Sequence, residues 1–323
     1  MLLSVILPCY NEEQIIAETY HRLTRILQSL DDIDYELIFV DDGSEDNTFS
    51  ILTGYQQNDS RVRILKLSRN FGQQMATTAG MAHASGDAII LMDADLQDPP
   101  EMIPSMISEW KKGFDVVYGE RMERPGEGLL KRVTSRAFYR IIRRLSDVKI
   151  PQDTGDFRLM DRTVVHAFLT LRERDRFVRG LVSWLGFRQT GLSFRRPPRQ
   201  AGETKYPFTK SLKLAADAMV SFSSRPLKLA TWLGFSASGV ALAGIVYALV
   251  LRLLTDIWVT GWTALFIAVL FMGGVQLICL GIIGEYIGRI YGETKCRPLY
   301  LIQKKLGFSN GDPYPAFNRT IEE

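Results

Sequence analysis

Asp93-Ala94-Asp95 sets two carboxylates one residue apart. An apolar run over residues 88–92 delivers them, and paired prolines, Pro99 and Pro100, close the stretch. On a strand alternate side chains share a face, so the spacing predicts that Asp93 and Asp95 converge at a strand's C-terminal end. Carboxylates so placed suit a hard divalent cation that is shared with phosphate oxygens. The competing reading of such a triplet taken alone is an acidic surface turn.

Further groups along the chain could act on anions. Tyr118-Gly119-Glu120-Arg121-Met122-Glu123-Arg124 runs from a strand end into a polar segment, where Arg121 and Arg124 can pair a phosphate bidentately or simply form a solvated basic loop. Residues 152–160 gather Asp153, Asp156 and Arg158 around Gly155, and read as one loop ahead of a helix starting near Asp161. Arg132, Arg136, Arg140 and Arg143 share one side of an amphipathic helix over residues 129–145. A basic face of this kind suits anionic headgroups at a membrane surface.

The elements that must position these groups follow from periodicity. Short aliphatic and β-branched runs predict strands over residues 4–7, 36–40, 62–66, 88–92 and 115–118. Amphipathic stretches predict helices over 12–30, 46–55, 73–84 and 100–110. Strands separated by helices imply parallel crossovers, with ligands held outside the carboxyl ends of the strands. Three segments fall there: Pro8-Cys9-Tyr10-Asn11-Glu12-Glu13, Asp41-Asp42-Gly43-Ser44 and the Asp93–Asp95 triplet. Asp42, Gly43 and Ser44 also read as a turn, with Ser44 as a helix N-cap. Cys9 reads as a small buried filler.

Composition narrows the classes. The 323 residues have room for about two units. A net charge of +3 argues against nucleic acid as a partner. Three scattered cysteines form neither a metal-ligand pattern nor a disulfide framework, which suits a reducing compartment. The apolar N-terminus lacks a basic leader and reads as a buried strand. No Gly-x-Gly-x-x-Gly follows the first strand and no Gly-x-x-x-x-Gly-Lys-Ser/Thr occurs, so dinucleotide dehydrogenases and P-loop enzymes fit poorly.

Taken in order, Pro8-Cys9-Tyr10-Asn11-Glu12, Asp41-Asp42-Gly43-Ser44 and Asp93-Ala94-Asp95 resemble family 2 glycosyltransferases of the GT-A fold, a Rossmann-like, mostly parallel α/β sheet. The resemblance implies a nucleotide-sugar site. Pro8, Tyr10 and Glu12 would line the nucleoside pocket, and Asp41 would hydrogen-bond the base. Asp93 would approach the ribose and metal region, while Asp95 would ligate Mg2+ or Mn2+. It places Arg121, Arg124 and Arg158 near an acceptor phosphate and makes Asp156 the candidate base. That last role is discounted on chemical grounds, because a phosphate monoester is mostly ionised at neutral pH and is already a nucleophile. Arg199-Gln200-Ala201-Gly202-Glu203-Thr204-Lys205-Tyr206 is similar to the family's Gly-rich segment. There Lys205 would close over the diphosphate and balance the leaving group's charge, or the segment is an ordinary linker.

Composition changes after Pro226. Spans over 227–253 and 262–286 are almost free of charge and long enough for a hydrocarbon core of about 30 Å. Lys210, Lys213, Arg225 and Lys228 flank the first, and Arg289, Lys295, Arg297, Lys304 and Lys305 follow the second. The positive-inside rule puts both ends in the cytoplasm. Residues 1–208 form the catalytic domain, 209–226 an interfacial helix and 287–323 a cytoplasmic tail. Gly284 and Gly288 suit close helix contact, and Glu285 should pair with Arg289. Gly284-Glu285-Tyr286-Ile287-Gly288-Arg289 and the following Glu293-x-Lys295-x-Arg297-Pro298-x-Tyr300 resemble polyprenyl-phosphate glycosyltransferases of the bacterial O-antigen glucosylation type.

The resulting expectation is a multi-pass enzyme of the plasma membrane, forming homotetramers. It inverts the anomeric centre as it moves one sugar from UDP-glucose to undecaprenyl phosphate, with GDP-mannose or a modified sugar as alternative donors. A processive polysaccharide synthase would carry Gln-x-x-Arg-Trp and more membrane helices, neither of which occurs here. A membrane-anchored scaffold without turnover would have no use for Asp93, Asp95, Arg121, Asp156 and Lys205 together.

Overall fold

The computed structural model describes residues 1–121, 154–174, 176–194, 225–254 and 261–308. The chain divides into two compact units. One holds the mixed sheet with its flanking helices and takes the chain back from Arg297 onward; the other holds two long apolar helices.

The first unit begins with β1 (Leu2–Cys9), α1 (Ile16–Gln28), β2 (Asp34–Asp41), α2 (Thr48–Asn58), β3 (Val62–Leu67), α3 (Gln73–His83) and β4 (Ala88–Leu91). A 3-10 turn at Pro100–Met102 leads into α4 (Ile103–Lys111), followed by β5 (Val116–Arg121). Then come β6 (Thr154–Asp161), α5 (Arg162–Thr170), α6 (Val178–Trp184) and β7 (Gln189–Phe194). The second unit contains α7 (Arg225–Leu254) and α8 (Trp262–Thr294). A final strand, β8 (Ile302–Leu306), returns to the sheet.

The described strands run in the order β7-β5-β6-β4-β1-β2-β3-β8. β1 pairs in parallel with β2 and β4, and β2 with β3, so their carboxyl ends emerge on one edge. β6 lies antiparallel between β4 and β5. The expected α/β class therefore holds, with a mostly parallel sheet ahead of two apolar helices.

Packing explains the helix positions. Ile16, Thr19, Leu23 and Leu27 are the buried residues of α1 and recur at helical spacing. α3 lies so close to β1 that a Cβ on Gly80 would stand 2.3 Å from the Ile6 Cγ2. Only glycine permits that approach.

Two boundaries differ from expectation for a physical reason. α1 begins at Ile16 rather than residue 12: Asn11 takes a left-handed φ of 55°, and residues 11–13 donate their backbone N–H groups to Ser44, Thr48 and Asp46. Residues 154–161 form a strand instead of a loop. Phe157 and Leu159 enter the core on one face, while Asp156 and Arg158 are buried on the other. Alternation was present, but both faces are buried and one is charged. Asp161 then caps α5 by accepting the Thr163 N–H.

In the second unit α7 and α8 pack on each other, with Ala230 and Ala237 buried and the Cys279 thiol donating to the Ala230 carbonyl at 3.4 Å. Their remaining surface is greasy: Leu253 is 80% exposed and Leu277 72%. Both helices contain a stretch long and apolar enough to cross a membrane. The segment 129–145, read as a basic helix, and residues 209–224 of the expected interfacial helix lie outside the described residues, while Arg225 and Pro226 open α7.

Candidate active site

Two loops at the carboxyl edge are laced together by their backbones. Asn11 takes a φ of 55°, its N–H donates to Ser44 Oγ at 3.0 Å, and its side-chain carbonyl accepts the Glu45 N–H at 2.9 Å. Glu12 N–H donates to Thr48 Oγ1, and Glu13 N–H to Asp46 Oδ2. Pro8, Tyr10 and Glu12 are thereby held beside the end of β2. Ser44 is not the helix cap expected; Asn47 occupies that position, while Ser44 serves the neighbouring loop. Gly43 has a φ of 72°, and a Cβ there would meet the Arg69 carbonyl carbon at 2.5 Å.

Asp41 and Asp42 take separate tasks. Asp42 accepts the Phe71 and Gly72 N–H groups at 2.7 and 2.9 Å, which anchors the loop after β3. Burial pushes its carboxyl above the usual range despite those two bonds. Asp41 is fully buried, and its Oδ1 accepts the Ser44 N–H at 3.0 Å. Its Oδ2 has no partner among the described residues. A buried acceptor left in this way is costly unless a ligand N–H meets it.

Asp93 and Asp95 sit beyond β4, which ends at Leu91, so strand alternation is not what brings them together. A turn does so, with Leu96 at a φ of 55° and Asp95 Oδ1 accepting the Gln97 N–H at 3.1 Å. The small Ala94 is buried between them, and its carbonyl accepts the Thr19 hydroxyl at 2.7 Å. Asp93 Oδ1 takes the Gln73 side-chain amide at 2.6 Å. Burial, then the nearby carboxylates of Asp98, Asp156 and Asp95, drive the Asp93 carboxyl well above its ordinary range. Such crowding of negative charge invites a cation. Among the described residues no three metal-ligating side chains form a ready cage. A two-carboxylate donor set fits an ion that completes its shell with ligand phosphates and water.

Asp156 lies across from this turn. β4 and β6 pair as far as Leu91 opposite Arg158, and the Asp156 carboxylate is near enough to Asp93 for its charge to act on that carboxyl. Asp156 Oδ1 receives the Arg179 Nε at 2.7 Å, and its Oδ2 receives the Gln74 amide at 3.2 Å. Burial alone would raise the Asp156 carboxyl, but Arg179, Arg158 and the Gln74 bond outweigh it and hold it below the usual range. Arg158 is 3% exposed, donates from Nη2 to the Gly155 carbonyl, and is lowered by burial to about 10. It stays charged at neutral pH, and its Nε has no partner among the described residues.

The structure thus gathers Asp41, Asp93, Asp95, Asp156 and Arg158 at one edge of the sheet. Arg121 ends β5. Arg124 and Lys205 lie outside the described residues. Sequence reasoning missed Gln73, Gln74 and Arg179. Arg179 stood inside a dense charge cluster over residues 172–180, and nothing in the types of the two glutamines singled them out.

The glycosyl transferase family 2 profile matches residues 4–169, and the profile of the GtrB C-terminal hairpin matches residues 225–290. An uncharacterized glycosyltransferase of Bacillus subtilis (strain 168) is 50% identical over 307 residues, covering 95% of each chain. A second, from Synechocystis sp., is 46% identical and covers 94% of this chain and 96% of its own. A prophage bactoprenol glucosyl transferase homolog of Escherichia coli (strain K12) is 39% identical, covering 94% of this chain and 99% of its own. Matched along nearly its whole length, the chain belongs to glycosyltransferase family 2.

Proposed function

We propose that the protein transfers a single glucose from UDP-glucose to undecaprenyl phosphate on the cytoplasmic face of the membrane, with inversion at the anomeric carbon. The observation that carries the phosphate acceptor is the Asp156–Arg179 pair beside the buried Arg158. A hydroxyl acceptor needs a base, and a carboxylate held below its usual range by a guanidinium is a weak one. A lipid monophosphate, with a second pKa of about 6, needs none. Glucose and the bactoprenol acceptor are supported by the name of the Escherichia coli relative.

In this reading Asp41 accepts a base N–H through its Oδ2, and Pro8, Tyr10 and Glu12 shape the nucleoside pocket. Asp95 and Asp93 hold Mg2+ or Mn2+, which when bound supplies positive charge to the departing diphosphate. Arg158 and Arg179 orient the acceptor phosphate, with Arg121 and Arg124 adding positive charge for the anion and Lys205 balancing the charge of the leaving group. A phosphate oxygen forms the new bond to the anomeric carbon as the bond to the diphosphate oxygen breaks. No proton has to move.

The return of β8 supports the membrane topology. It pairs with β3, so the chain leaves the catalytic unit before α7 and re-enters it after α8. That return is consistent with an even number of crossings, and the basic residues flanking the helices favour the cytoplasm for both ends. Gly284 and Gly288 have open space beside them, which suits self-association into a tetramer; crosslinking that gave only monomers would sink that part.

The test is incubation of the purified protein with a panel of labelled nucleotide sugars, divalent metal and polyprenyl phosphate, followed by lipid extraction. UDP-glucose should label the lipid. Labelling by another donor corrects the sugar, and no labelling with any donor ends the transferase reading. Asp95→Asn should abolish metal-dependent turnover and weaken Mn2+ binding measured by calorimetry in the presence of UDP.

A further inference from the structure

A side-chain amide has one donating and one accepting end, and Gln74 uses both on different elements. Its Nε2 donates to Asp156 Oδ2 at 3.2 Å, and its Oε1 accepts the Val178 N–H at 2.9 Å. Val178 is the first residue of α6, whose leading N–H groups have no partner inside the helix. The next residue, Arg179, reaches back to Asp156 at 2.7 Å. Gln74, the first turn of α6, Arg179 and Asp156 therefore close a ring drawn from three remote parts of the chain. Gln73, one step earlier on α3, donates its side-chain amide to Asp93 Oδ1 at 2.6 Å.

We propose that Gln74 is a positioning residue for the transfer. It fixes the rotamer of Asp156 and the start of α6 together, so that Arg179 is presented to the acceptor phosphate in one orientation. This rests on the reading of Asp156 and Arg179 as the acceptor side of the site. Only an amide meets both demands. Glutamate would still accept from Val178 but would turn an oxygen toward the Asp156 carboxylate. Leucine would fill the space and make neither bond.

The test compares Gln74→Leu and Gln74→Glu with the full-length wild type, using UDP-glucose and polyprenyl phosphate. Both should lower kcat by about tenfold with the KM for the nucleotide sugar within about twofold. In an Asp156→Asn background, Gln74→Leu should cost less than about twofold more, because the two residues act as one unit. Hydrogen exchange at Val178 supplies a readout independent of turnover. It should quicken in Gln74→Leu and stay slow in Gln74→Glu, which keeps the acceptor. Unchanged kcat, a loss confined to donor KM, losses that multiply with Asp156→Asn, or unaltered exchange in Gln74→Leu would each overturn the proposal. A wild type that labels no lipid defeats the transferase reading instead, and the exchange data then still decide whether Gln74 holds α6.

Discussion

Arg179 Nε meets Asp156 Oδ1 at 2.7 Å, joining the first turn of α6 to the strand that faces the Asp93 turn. The pair is cross-linked through Gln74 and lies beside the buried guanidinium of Arg158. Both guanidinium groups act on this one carboxylate and hold it in its ionised form.

The depressed carboxyl of Asp156 has a consequence with a definite sign. Its folded value lies below the unfolded one of about 3.9, so the stabilisation is complete above that pH and is lost as pH falls through the folded value. Asp156→Asn should therefore lower the thermal midpoint at pH 7, and the gap should close on acidification below about pH 4. Catalysis should report a different group. The acid limb of kcat/KM for the lipid should lie near pH 6, the acceptor's own ionisation. It should not move in Asp156→Asn, which should retain turnover about tenfold below wild type. Loss of all activity with both ligands still bound would restore Asp156 as the base.

Asp41 makes a narrower prediction. Its Oδ2 is buried without a partner among the described residues, so a donor group of the nucleotide base would satisfy it. Asp41→Asn keeps the size but changes the hydrogen-bond character. The KM for the nucleotide sugar should rise about tenfold with kcat nearly unchanged. A fall in kcat alone would place Asp41 elsewhere in the reaction.

How far these groups could be read in advance depended on whether local pattern or distant pairing placed them. β1 to β4 follow from aliphatic runs bounded by turn residues, and that alone brought the loops bearing Asp41 and Asp93 to one edge. The residue types at Asp93 and Asp95 were informative, yet the mechanism of their approach was a turn rather than a strand. β6 read as a loop because its buried charged face is tolerated only where Arg179 and Gln74 arrive from elsewhere. β8 read as part of the cytoplasmic tail over residues 287–323, since Lys304 and Lys305 mask a strand that takes its partner from β3, more than two hundred residues earlier. Such charged residues are common on exposed sheet edges.

At the opposite end of the sheet Glu36 is 3% exposed and collects groups from three other segments. The Ser4 hydroxyl and the Ser85 N–H both donate to Oε1, and Arg63 Nη1 reaches Oε2 at 2.8 Å. Glu36→Ala strands these donors and leaves Arg63 without its partner carboxylate. It should cost about 3 kcal/mol in denaturant unfolding, while the KM for nucleotide sugar stays unchanged at a permissive temperature. A loss below about 1 kcal/mol would mean that water replaces the carboxylate.

The last strand offers a test of whether the chain beyond α8 is structural. β8 pairs antiparallel with β3, the Ser68 N–H donates to the Leu301 carbonyl, and Tyr300 is 3% exposed. Gly307, which follows this strand, has a φ of 79°, and a Cβ there would stand 2.6 Å from the Val62 carbonyl oxygen. Gly307→Ala must adopt a disfavoured backbone and push on a neighbouring strand at once. It should lose about 1–3 kcal/mol. Gly54, inside α2 with nothing within 4 Å of its would-be Cβ, provides the contrast. Gly54→Ala should gain about 0.5–1 kcal/mol from backbone entropy. Opposite shifts in thermal midpoint would tie the returning strand to the stability of the catalytic unit. A neutral Gly307→Ala would show that β8 can peel away without consequence, and would remove the support that it lends to an even number of membrane crossings.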